Sequence, residues 1–256
     1  TLEDCQLVFD ARTTETVSTD DEGNQYVEKT LDTGTQEYKD WYAEVQFAQQ
    51  SSVDAFFYDH PEIFWIRSGK YVVSVGAKQV SGQWKGYLKS ITITPSEIYA
   101  GASSLMSAYD SAVVQVAEKI RAGADRNNDG SIAQIELANA IDDYLCERFF
   151  YDSDSLGTYA STLDYRIFCS GGAFLDAIGT GVVCEGYAKA YKVLCDYFGI
   201  PCVLIGGVVN PDSSSREGHM CNANCLDGKW YLVDCTWNDK GSYSNKVYFE
   251  VAVPDS

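Results

Sequence analysis

The chain reads as an α+β protein. Four stretches repeat their apolar residues at helical spacing, and two pairs of alternating runs flank short turn signals. With 256 residues, 45% of them apolar, it can bury a sizeable core. The first thirty or so residues are polar around a "DEGN" turn signal, and fit a pair of edge strands or an arm. In "QEYKDWYAEVQFAQQSSVDAFFYD", Trp41, Val45, Ala48, Ala55 and Phe56 recur mostly three or four residues apart, which predicts a helix. The pattern stops at "HPEIFW", where a helix end before Pro61 accounts for His60 by capping and packing. "KYVVSVGAKQVSGQWKGYLKSITITP" then alternates, with "SGQ" as its turn, and predicts a hairpin ending at Pro95.

The texture changes near residue 95. We therefore expect an N-terminal α/β accessory region over residues 1–97, which offers no reactive cluster, and a second domain over 98–256. The latter opens with a helical run, "SLMSAYDSAVVQVAEKIRAGA", and after a polar loop comes another, "IAQIELANAIDDYLCERFF".

That loop, Asp125 to Glu136, matches a calcium-binding loop at its first, third, fifth, sixth and twelfth positions: Asp125, Asn127, Asp129, Gly130 and Glu136. Ser131 stands at the backbone-carbonyl position. Short oxygen side chains at this spacing can converge on a hard cation while the glycine permits the tight turn, so structural calcium is one expectation. The same residues also fit a loop in which Asp129 or Ser131 caps the next helix, with Gln134 completing a capping box. No cofactor is expected to be required.

Composition excludes several classes. The 37 acidic residues against 19 basic ones give a net charge of −18, which disfavours nucleic acid and anionic lipid as partners. There is no apolar run of membrane-spanning length. The opening "TLEDCQLVFDARTT" has neither an initiating Met nor the basic-then-apolar order of a signal peptide, and we expect a processed protein acting outside the cell or at its surface. Nine cysteines are too few for a disulfide scaffold, and an odd number leaves at least one thiol unpaired within the chain. Cys146, Cys195, Cys202, Cys225 and Cys235 lie in apolar patterns where a small core residue fits.

Cys184 is different. Glycines bring the chain in through "GGAFLDAIGTGVV", and "CEGYAKAYKVLCDYFG" then repeats apolar residues at helical spacing until Gly199, with Pro201 beyond. A helix therefore starts at or beside Cys184, where the helix dipole and unpaired N–H groups favour a thiolate and can steady a negative oxygen. Cys195 lies three turns further in and reads as core.

A nucleophilic thiol needs a base, and the chain has two histidines. In "GHMCNANCLDGKWYLVDCTWND", "DG" separates two β-rich runs and signals a two-residue hairpin turn. If Asp227 and Gly228 form it, Leu226 faces Lys229, Cys221 faces Asp234, and His219 and Asp234 become diagonal neighbours on one face. Diagonal pairs stand about 7–8 Å apart at the backbone, within reach of an imidazole and a carboxylate. Such a pair is either a base with its orienting acid or a buried polar contact. Zinc is excluded for His219, Cys221 and Cys225 on one regular strand, because the outer two are roughly 20 Å apart.

"GVVCEGYAKAYKVLCDYFGIPCVLIGG" followed by "GHMCNANCLDGKWYLVDCTWND" closely resembles the transglutaminase-like superfamily, specifically its bacterial members of protease-like type. The shared motifs are a Cys at a helix start in a "GVCxGYA"-like run, "GIP" before a strand, a "HAWN"-like motif and "DGKWYxVDxTWND". Upstream, "AIDDYLCERFFYD" is similar to the helix and "YD" ending that open this core. Met220 and Cys221 depart from the Ala and Trp usual in the His motif. The resemblance implies an α+β, papain-like core over 98–256, in which a helix bearing the nucleophile packs on an antiparallel sheet. It implies Cys184 as nucleophile, His219 as general base and Asp234 as orienting acid. The expected activity is cysteine-dependent acyl transfer on a polypeptide or other amide, with hydrolysis favoured. A protein-glutamine transamidase and a non-catalytic cell-surface binding module are the alternatives.

Overall fold

The structure is a computed structural model that describes residues 8–9, 13–80, 83–95, 102–162, 165–175, 180–210, 212, 214, 216–241, 243–249 and 251–252. Two compact units emerge: Thr1–Phe56 with Ser68–Thr94, and Phe57–Arg67 with Pro95–Ser256.

In the first unit the polar N-terminal stretch is a strand pair. Strand β1 (Val8–Phe9) is followed by β2 (Thr13–Thr19) and β3 (Gln25–Leu31), which pair antiparallel with Val17 opposite Val27. Asp20 closes their turn by accepting the N–H groups of Glu22 and Asn24 at 3.0 and 2.8 Å. Helix α1 (Gln36–Asp59) has the span that the apolar spacing predicts. Its start is capped by the Thr35 hydroxyl, which accepts the Tyr38 N–H at 3.2 Å. Strands β4 (Ile66–Val80) and β5 (Gln83–Pro95) form the expected hairpin and make a three-stranded sheet in the order β1-β5-β4. The turn between them, residues 81–82, lies outside the described residues.

The second unit begins with α2 (Ala102–Ala122) and α3 (Gln134–Arg148), then β6 (Phe149–Tyr151) and α4 (Ser153–Thr162). A single 3-10 turn (Arg166–Phe168), α5 (Ser170–Leu175) and β7 (Thr180–Val182) lead into α6 (Cys184–Phe198). Strands β8 (Cys202–Val209), β9 (Glu217–Leu226) and β10 (Lys229–Val233), the short α7 (Cys235–Asn238) and β11 (Val251–Ala252) complete it. The main sheet is antiparallel in the order β11-β10-β9-β8, while β6 and β7 form a separate parallel pair.

Helix α6 is the centre of this unit. Tyr187, Ala190, Tyr191, Leu194 and Cys195 recur at helical spacing and are buried in one apolar cluster with Ile141 and Leu145 of α3 and Val233 of β10. Burying a side chain such as Leu194 completely contributes roughly 2 kcal/mol. On the sheet side, the amides of Asn222 and Asn224 donate to the Ala188 carbonyl at 3.0 Å and the Tyr191 hydroxyl at 2.9 Å, which fixes β9 against the helix. The helix ends at Gly199 in the left-handed region (φ 70°), where the Ile200 N–H returns to the Cys195 carbonyl at 2.9 Å. The result is an α+β core with the Cys184 helix packed on an antiparallel sheet.

Two local expectations need correction. The helix after the acidic loop starts at Gln134, and its cap is the Glu136 carboxylate accepting the Ala133 N–H at 2.9 Å rather than a box between Ser131 and Gln134. Ser131 is held back in the loop, its N–H and hydroxyl both given to Asp129. Cys146, Cys195, Cys202 and Cys235 are buried as expected, whereas Cys225 is only half-buried.

Candidate active site

Three elements bring three side chains together. The turn at Asp227 and Gly228, both with positive φ (50° and 78°), sets Lys229 opposite Leu226 and Val233 opposite Asn222, the register the "DG" signal predicts. One step further, Asp234 Oδ2 meets His219 Nε2 at 2.6 Å, with the side chains only 8% and 13% exposed. The second oxygen, Oδ1, caps α7 by accepting the Trp237 N–H at 3.0 Å. The carboxylate is thus fixed at both ends, one oxygen by backbone and the other by imidazole. Cys184, the first residue of α6, lies close enough to the same ring to raise its affinity for a proton. Because Nε2 is taken by Asp234, Nδ1 is the ring nitrogen left for the thiol.

Electrostatics follow from this arrangement. The His219 imidazole is pushed up to about 9, first by its hydrogen bond to Asp234 and then by that to Cys184, against the opposing effect of burial. Cys221, two residues along β9, is pushed up to about 11 by burial and by the charges of Asp234 and Cys184, and stays a thiol. Burial drives Cys195 and Cys235 far upward as well. None of these three can compete as a thiolate at neutral pH. Val183, the N-cap of α6, offers no side-chain acceptor to the first turn, so the N–H groups beside Cys184 have no cap from it.

Aromatic residues with no role assigned from sequence complete the surroundings. Trp237 stacks on His219 with ring centroids 4.4 Å apart and planes 13° from parallel, and Tyr248 meets Trp237 edge-on at 5.1 Å. A cavity of about 260 Å³ opens beside them, with Ile205, Val208, Leu232 and Val251 as apolar wall and His219, Cys221 and Asp234 as polar wall. Trp237 stands in the "TWND" run, and its place next to Asp234 was its available signal.

Beneath this lies a polar anchor. Asp142 of α3, fully buried, accepts hydrogen bonds from Asn238 at 3.2 Å, Ser244 at 2.6 Å and Lys246 at 2.7 Å. Asn238 in turn accepts the Tyr248 N–H at 2.8 Å, and the Tyr248 carbonyl accepts the Asp234 N–H at 2.9 Å. The segment after Asp234 is therefore tied down to α3 on the side away from solvent.

The acidic loop lies elsewhere. Asp125 accepts the N–H groups of Asp129 and Gly130, Asn127 accepts that of Asp129, and Glu136 is engaged at Ala133. Among the described residues, no group of three or more His, Cys, Asp or Glu side chains is arranged to hold a metal ion. No helix among them is long and apolar enough to cross a membrane.

Comparison with known proteins shows what the stretch carrying this site is similar to. The sequence model of the transglutaminase-like superfamily core matches residues 115–235, a stretch that contains Cys184, His219 and Asp234. Kyphoscoliosis peptidase of Mus musculus is 28% identical over 113 residues, 41% of this chain and 16% of that protein. The Homo sapiens protein is 33% identical over 61 residues, 21% of this chain and 9% of its own length. The chain thus spans less than a fifth of these relatives. Among solved structures, a TGase is similar with a TM-score of 0.39 and 14% identity, covering 65% of this chain and 45% of that one. A candidate cysteine protease from Cytophaga hutchinsonii is similar with a TM-score of 0.31 and 13% identity, covering 67% and 68%. Residues 115–235 thus match the transglutaminase-like superfamily core, a likeness that supports cysteine-dependent acyl transfer in general.

Proposed function

We propose that the protein hydrolyses amide bonds of polypeptides through a thioester, with Cys184 as nucleophile, His219 as general base and then acid, and Asp234 as the carboxylate that orients the ring. One juxtaposition supports this reading above all: His219 stands between Asp234, at 2.6 Å, and Cys184 at the start of α6. Asp234 holds Nε2, which leaves Nδ1 as the nitrogen available to the sulfur and resists rotation of the ring. His219 takes the Cys184 proton, and the thiolate attacks the amide carbon. The tetrahedral oxyanion forms beside the uncapped N–H groups of α6, and its collapse expels the amine, which receives the proton from His219. Water activated by the same imidazole then releases the acid and restores the thiol. The apolar wall beside His219 suits the side chain of a polypeptide neighbouring the scissile bond.

Fluorescein-labelled casein with monodansylcadaverine tests the proposal. Release of labelled peptides, abolished in Cys184→Ala and preserved in Cys195→Ala, is the expected result. Incorporation of the amine into casein without peptide release would assign transamidation instead. Slow, uniform iodoacetamide labelling of all the cysteines with no turnover would leave a binding module.

A further inference from the structure

The Cys184 backbone N–H is one donor for the oxyanion of the proposed reaction, and a tetrahedral intermediate is best held by two. The buried amides of Asn222 and Asn224 do not serve, because they are spent on Ala188 and Tyr191 of α6. We infer that the Tyr151 hydroxyl is the second donor, an inference that rests on Cys184 being the nucleophile.

Its position follows from the parallel pair β6–β7. Tyr151 lies opposite Val182, so the two side chains share one side of the pair. That side faces α6: a Cβ on Gly186, in the helix's first turn, would fall 2.7 Å from Val182 Cβ. Phe149, which shares this side two residues earlier, meets Tyr187 edge-on at 5.5 Å. Tyr151 stands roughly 7 Å beyond Phe149 along the strand, opposite Val182, two residues before the chain enters α6 at Cys184. It is not a core aromatic, being 42% exposed, and the charges that reach its phenol are those of Cys184 and of Glu217, two residues before His219 on β9. The ring thus lies where the helix start and the histidine strand approach each other. Burial first, then those two negative charges, push the phenol upward, so it keeps its proton and can donate.

In the step it serves, the Cys184 sulfur forms a bond to the acyl carbon and the carbonyl π pair moves to oxygen. Tyr151 donates a hydrogen bond to that oxygen without losing its proton. As the C=O bond reforms, the leaving group departs and the hydrogen bond weakens.

Two small probes separate this role from a structural one. Acylation of Cys184 by p-nitrophenyl acetate passes through a tetrahedral oxyanion; alkylation by iodoacetamide does not. Tyr151→Phe, which removes a single oxygen, is expected to slow acylation by about 100-fold and to leave alkylation of Cys184 within about twofold of wild type. Acylation within about twofold of wild type overturns the inference, and so does a parallel fall in both rates, which would mean that Tyr151 shapes the thiol's surroundings. If Cys184→Ala leaves the acylation rate unchanged, the nucleophile assignment itself fails, which is a different result from either.

Discussion

Replacing Asp234 by Asn keeps the oxygen that caps α7 and the shape of the side chain, but removes the charge facing His219. The wild-type ring is pushed from its ordinary 6.5 to about 9, with the Asp234 hydrogen bond as the largest cause. That is roughly 3 kcal/mol of preference for the imidazolium, at about 1.4 kcal/mol per tenfold in proton affinity. We expect Asp234→Asn to lower the titration midpoint of His219 by at least about one pH unit, while Cys184 still supplies part of the shift. Long-range ¹H–¹⁵N NMR can follow it directly, since the chain has two histidines and His60→Gln leaves a single signal. Stability must change in step. A midpoint raised on folding contributes stability that is fully present below pH 6.5 and is lost as pH rises through about 9. The gap between wild type and variant in urea unfolding should therefore be widest near pH 5.5 and close by pH 10. An His219 midpoint that is the same in both proteins would refute the coupling, whatever the variant does to turnover.

Other perturbations probe the supports of the site. Lys246→Met leaves the fully buried Asp142 without its cation and should cost about 3 kcal/mol in urea unfolding; adding Asp142→Asn should recover part of that loss, as a double-mutant cycle would show. Gly186→Ala places a Cβ 2.6 Å from the Ile167 carbonyl oxygen. It should destabilise by about 1–3 kcal/mol and slow iodoacetamide labelling of Cys184, because the same carbonyl accepts the Val183 N–H at 3.0 Å and so sets the start of α6. Cys221→Ala removes a thiol held up near 11, and should leave the labelling rate of Cys184 within about twofold, measured by peptide mapping.

What could be read from the chain alone follows the range of the interactions involved. Helices α1, α2 and α6 were legible because their apolar spacing and stop signals are local; Gly199 ends α6 where a left-handed residue is required. The His219–Asp234 pair was legible for a related reason. A two-residue turn with positive φ at Asp227 and Gly228 fixes the register of both strands, and the register fixes which side chains share a face. The capping at the start of α3 is not legible in the sequence because several candidate oxygens crowd one loop. Sequence cannot tell that Asp129 takes Ser131 and leaves Glu136 to hold Ala133.

Convergence across long separations is another matter. Spacing makes Cys184 a helix start and His219 a strand residue, but nothing local says that the two meet; only resemblance to a family suggested it. Tyr151 and Asp142 were less legible still. The first depends on a three-residue parallel pairing whose partners lie 31 positions apart, and the second on bonds to Asn238, Ser244 and Lys246, about a hundred positions away. These distant contacts share a physical task. Asp234 can orient His219 only if the chain following it is immobile, and α7 with four helical residues is too short to be rigid by itself. The buried Asp142 supplies the missing rigidity through Asn238 and Tyr248, whose carbonyl accepts the Asp234 N–H. A charge buried in the middle of α3 thus acts on an imidazole it never touches, through the backbone that carries the carboxylate between them.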